Sequence, residues 1–77
     1  MEARAARLAE MIPIHRKRGL EAEARAAAAL ARLEDPTTPV IDQVQSERTY
    51  SAELRLARTE ERTCEWYEQC IKQWTAK

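Results

Sequence analysis

Two thiols, one imidazole, a short basic run and a cluster of aromatics are the groups with chemistry to offer in this 77-residue chain. Cys64 and Cys70 stand six residues apart. On a continuous helix that spacing sets them ~9 Å apart along the axis and more than ~100° apart around it. A disulfide needs its Cα atoms within roughly 7 Å. The pair is therefore expected as two reduced, half-buried side chains of apolar character, with bonding between molecules across an oligomer seam as the alternative. His15 is the only histidine and is far from both thiols in sequence, so at most three metal ligands exist. No metal site and no cofactor is expected. Catalysis finds no support either. There is no Ser-His-Asp or Cys-His pairing with local context. Glu60-Glu61 and Glu65/Glu68 have the spacing of a solvated helical face. A single Gly excludes a Gly-rich phosphate loop.

His15-Arg16-Lys17-Arg18 is the only cluster of like charge. As a turn between helices it offers Arg16, Lys17 and Arg18 to phosphates or to an acidic protein surface. The chain as a whole is neutral, with 13 Lys+Arg against 13 Asp+Glu, whereas domains that live on phosphate contacts carry a basic excess. Trp66, Tyr67 and Trp74, with Cys70 and Ile71, form the most distinctive group, because Trp and Tyr are enriched where interfaces concentrate their energy. Trp66 and Tyr67 are adjacent and point ~100° apart on a helix. One helix cannot cover both. Leu8, Met11 and Ile12 are expected to cover Tyr67, Ile71 and Trp74, which leaves Trp66 for an intermolecular surface. The candidate partner-binding residues are thus Trp66, Tyr67, Cys70, Trp74, Arg16, Lys17 and Arg18.

The elements that must hold these groups follow from the breakers. Three Pro and the Gly fall at two places, Pro13 to Gly19 and Pro36 to Pro39. They divide the chain into about 1–12, 20–35 and 39–76. In the first segment Met1, Ala5, Leu8 and Ile12 share one helical face, and Pro13 is expected to end or kink it. The second segment is Ala-rich and the strongest helix former, with small side chains that allow close approach. Asp35-Pro36-Thr37-Thr38-Pro39 reads as a turn, with Thr38 as helix cap and Pro39 first in the helix. From Val40 to Lys77 there is no Gly or Pro. That stretch reads as one helix of roughly 55 Å at ~1.5 Å per residue. Tyr50, Ala57, Cys64 and Ile71 recur every seven residues, the period of coiled-coil contact, while Glu53, Glu60, Glu61 and Glu68 interrupt the line and leave the seam imperfect. A second, weaker line runs through Ala52, Leu56, Thr59, Thr63, Trp66 and Cys70. Ion pairs within the helices are expected at Arg7–Glu10, Glu21–Arg25, Arg58–Glu61, Arg62–Glu65 and Glu68–Lys72.

Residues 1–35 and 39–77 are nearly equal arms. They predict an all-α helical hairpin, a single domain over 1–77, with the first arm kinked or broken at 13–19 and a long C-terminal helix over about 39–76. Fourteen of the residues are Ala, and Leu, Ile and Val number only 12. So thin a core is expected to need help, by self-association or by docking on a larger protein. No apolar run reaches the ~18 residues of a membrane span. The N-terminus lacks the apolar stretch of a secretory signal, so a cytoplasmic location is expected, or the virion if the chain is phage-encoded.

The stretch Pro39…Ser46-Glu47-Arg48-Thr49-Tyr50…Tyr67-Glu68-Gln69-Cys70 resembles the C-terminal region of phage inner-membrane spanin lysis proteins. The likeness covers under half the chain and implies a helical, periplasmic, cysteine-bearing domain. The family's N-terminal membrane anchor has no counterpart in these residues. The functional expectation from the sequence is a small non-catalytic protein-interaction module: an inhibitor, adaptor or assembly component of bacterial or phage type. The alternatives are a nucleic-acid-binding helical dimer using the 15–18 turn, and a soluble spanin-like lysis domain.

Overall fold

A computed structural model of the chain describes residues 3–76. They form two helices, α1 (Ala3–Glu34) and α2 (Val40–Thr75), joined by a tight connection. The helices pack antiparallel along their whole length into a rod of 59 × 14 × 13 Å. Met1, placed by sequence on the first apolar face, lies outside the described residues.

The connection is built by its own side chains. The Asp35 carboxylate accepts hydrogen bonds from the Thr37 backbone N–H (2.9 Å) and the Thr37 hydroxyl (2.7 Å). The Thr38 N–H reaches back to the Asp35 carbonyl at 3.2 Å. These bonds favour the ionised acid and hold the Asp35 carboxyl below the usual carboxylate range. Thr38 is not the cap expected of it. Pro39 occupies that position with an extended backbone and no side-chain cap. The Gln43 side chain bonds the Thr38 carbonyl instead, at 3.1 Å.

Of the kink or break expected at 13–19, the break is absent. α1 runs through Pro13 and Gly19 without interruption. Pro13 and Ala9 both lie on the exposed side, so the carbonyl that Pro13 leaves without a donor has water available. Ile12, His15 and Gly19 on the inner side pack against α2 across the same stretch. Contact along both sides of the proline thus favours one continuous helix over two short ones.

The interface has a strict pattern. The inward residues of α1 are Ala5, Leu8, Ile12, His15, Gly19, Ala22, Ala26, Ala29 and Leu33, at alternating steps of three and four. Those of α2 are Gln43, Ser46, Tyr50, Glu53, Ala57, Glu60, Cys64, Tyr67, Ile71 and Trp74, at the same steps. This is the heptad seam of a two-stranded antiparallel coiled coil. Its fully covered apolar residues are small: Ala5, Ala22, Ala26, Ala29, Ala57 and Cys64. No large side chain is fully buried among the described residues. Close approach of two backbones, rather than a thick layer of Leu and Ile, therefore defines the fold.

Candidate interaction site

The aromatic cluster sits at the open end of the hairpin, away from the connection. Tyr67 lies in the seam, half-buried, with its ring edge-on to the His15 ring at a centroid distance of 5.5 Å. Trp66 stands next to it, 5.5 Å from the Tyr67 ring and tilted by 50°. Trp66 is the outward member of the adjacent pair, 61% exposed. Trp74 is half-buried and carries the Arg4 guanidinium over its ring at 4.8 Å, a cation–π contact that ties the start of α1 to the end of α2. Cys70 is half-buried on the same side of α2 as Trp66. An exposed indole resting on a seam tyrosine, which is itself packed on His15, loses little freedom on binding, which suits it to anchor a contact.

His15 and Glu60 are the main correction to the sequence reading. From sequence, Glu60 interrupts the apolar line and shares the spacing of a solvated acidic face, and His15 stands in a basic turn. In the structure Glu60 is buried in the seam, and its Oε2 lies 2.5 Å from His15 Nδ1. Gly19 lies opposite it: a Cβ at Gly19 would stand 3.4 Å from the Glu60 Cβ. The signal was present in the spacing: Glu53, Ala57, Glu60 and Cys64 continue the three-and-four alternation. Charge argues against that position, because buried Glu is rare unless paired, and the pairing partner sits 45 residues away.

Arg16, Lys17 and Arg18 do not form a turn. They occupy consecutive positions of a continuous helix and therefore point in three directions ~100° apart. Arg16 bridges to Glu68 across the helices at 2.9 Å, and Lys17 faces outward. Two of the ion pairs assigned within helices are redirected, and Arg7–Glu10, Arg58–Glu61 and Arg62–Glu65 are not among the ion pairs of the described residues. Glu68 takes Arg16 rather than Lys72. Arg25 takes Glu53, with Nε 2.9 Å from Oε2. That pair lacks the alignment of a hydrogen bond, and the Glu53 oxygen is covered, so it is held by charge rather than by a directed bond.

Cys64 and Cys70 are free thiols on different sides of α2. Cys64 is buried, and its sulfur lies 3.6 Å from the Ile12 carbonyl oxygen, which accepts its hydrogen bond. Burial pushes the Cys64 thiol up; nearby Arg16 pulls it down, and Glu68, Glu60 and Glu65 push it further up. It is kept as the protonated, unreactive form.

No family model, curated protein or solved structure matches the chain.

No described helix is long and apolar enough to cross a membrane, and no group of three or more His, Cys, Asp or Glu that could hold a metal ion occurs among the described residues. What the arrangement offers is surface: a rigid rod with an exposed indole at one end. Exposed Leu30, Val40, Ile41 and Val44 lie at the other, around the connection.

Proposed function

We propose that the protein is a non-catalytic interaction module that works by occupying a surface on a larger protein, as an inhibitor, adaptor or assembly component. Trp66 carries this reading: a large aromatic, 61% exposed, beside the Tyr67 ring, which itself packs on His15. Isolated exposed apolar residues are ordinary. An exposed Trp backed by a seam aromatic is the kind of group that anchors an interface. The thin core adds to it. A hairpin of this size whose covered residues are mostly Ala gains stability from a further helix, supplied by a partner, by a second copy, or by both. The reading also keeps the expected cytoplasmic or virion setting and a bacterial or phage accessory role. A spanin-like lysis role would use the same α2 surface from the periplasm.

The test compares the protein with its Trp66→Ala variant as affinity baits at matched helicity. Loss of a defined partner from the variant, by more than ~1 kcal/mol of affinity, is the expected result. A partner set unchanged by the substitution removes Trp66 from the function.

A further inference from the structure

α2 has two heptad lines, and α1 uses only one. The other runs through Ala52, Leu56, Thr59, Thr63, Trp66 and Cys70, and continues at the same steps to Gln45 and Gln73. It contains no charged residue over eight turns of a helix otherwise dense in charge. Leu56 is 40% exposed and Trp66 61%. The two central threonines are less polar than their type suggests. The Thr59 hydroxyl donates to the Arg55 carbonyl (3.0 Å) and the Thr63 hydroxyl to the Thr59 carbonyl (2.9 Å). Their donors are spent on their own helix, which leaves the track uncharged, with Ala52, Leu56, Trp66 and Cys70 as its apolar positions.

Both borders of this track are arginine rows. Arg48, Arg55 and Arg62 line its outer side on α2, seven residues apart and exposed. Arg18, Arg25 and Arg32 line its inner side on α1, also seven apart. A groove of about 310 Å³ between the helices has Arg25 and Arg32 on one wall and Gln45 and Thr49 on the other, which puts the α1 row and the track on one face. Arg25 is engaged by Glu53. Among the described residues, the guanidinium groups of Arg18, Arg32, Arg48, Arg55 and Arg62 have no ion-pair partner. The opposite face carries Glu23, Glu61, Glu65 and Glu68 around its own groove.

We infer that the track docks an acidic amphipathic helix of a partner protein: an apolar stripe on the uncharged line, with Glu or Asp rows on each side of that stripe. In coiled coils the residues beside the seam choose the partner by charge. A seam with arginines on both sides accepts acidic flanks and rejects basic ones. It also rejects a second copy laid track to track, because Arg rows meet Arg rows whichever way the copy runs. The inference rests on the interaction-module reading and names the partner's chemistry.

The test uses three four-heptad peptides without Trp: a Leu seam flanked by Glu, the same seam flanked by Lys, and a scramble of the Glu peptide. Binding is read from the fluorescence of the protein's own indoles and by calorimetry. A DNA duplex and the protein alone at rising concentration complete the set. The expected result is saturable binding of the Glu peptide at least tenfold tighter than the Lys peptide or the scramble. The Arg55→Glu/Arg62→Glu variant, altered at exposed positions and checked for helicity, is expected to reverse that preference. Trp66→Ala should weaken the Glu peptide without reversing it. Equal binding of the Glu and Lys peptides, no binding of either, DNA binding abolished by Arg55→Glu/Arg62→Glu, or a dimer that this variant strengthens each overturns the inference. If Trp66→Ala still costs the protein its captured partner while the peptides fail, the module reading survives and only the acidic helix falls. If neither responds to Trp66, both fall.

Discussion

The two ends of the seam are built on different plans. Near the connection, Ala22, Ala26 and Ala29 are covered, with Ser46 buried on the facing helix. At the open end, Leu8, Ile12 and His15 share the seam with Glu60, Cys64, Tyr67, Ile71 and Trp74. The connection end is already held by the chain itself, so it can use small residues, which bury little surface but let the backbones come close. The open end has no covalent tie. It is held by longer side chains and directed contacts: His15 on Glu60, Cys64 on the Ile12 carbonyl, Arg16 on Glu68, and Arg4 over Trp74. Small side chains set the helix spacing where the turn sets the register, and specific bonds set the register where nothing else does.

The sharpest way to break this contrast is at the polar pair. His15→Ala leaves the buried Glu60 carboxylate without its donor and should lower stability by about 1.5–3 kcal/mol. A double variant, His15→Ala with Glu60→Leu, should recover much of the loss by making the layer apolar. Denaturant melts of the two variants decide it; equal stability of the single variant and the parent would show that the pair holds nothing. At the connection end, Ala26→Leu puts a large side chain where Ala26 is covered and should cost about 1–3 kcal/mol. A gain in stability there would mean the alanine end is loosely packed. Between the two ends, Gly19→Ala is expected to stabilise the hairpin by roughly 0.5–1 kcal/mol, because a helix interior favours Ala and the added Cβ meets Glu60 at ordinary contact distance. A thermal melt shifted downward would show that the seam has no room for one methyl.

The smallest effect is expected in the turn. The Asp35 carboxyl is held below its ordinary range by the Thr37 bonds. A depressed acid contributes stability above its unfolded value and loses it as pH falls through its folded value. Asp35→Ala should therefore lower the melting temperature slightly at neutral pH, and the gap should close as pH drops below the ordinary carboxylate range. A gap that persists in acid would mean that the carboxylate's charge is not what Asp35 contributes.

The distance between sequence and structure can be followed residue by residue. The missing breakers after Pro39, the seven-residue return of Tyr50, Ala57, Cys64 and Ile71, and the Asp35-to-Pro39 turn were enough to specify two long arms folded back on each other. Local chemistry decides such features: where proline stops a ladder, where small polar residues close a turn, which positions share a helical face. Two matters lay beyond it. Whether Glu60 points into the seam or into water depends on an imidazole 45 residues earlier. Whether Pro13 ends a helix depends on packing against α2 on both sides of it. Each is a contest between a local cost and a contact that exists only once the arms are paired, so only the tertiary structure could decide it.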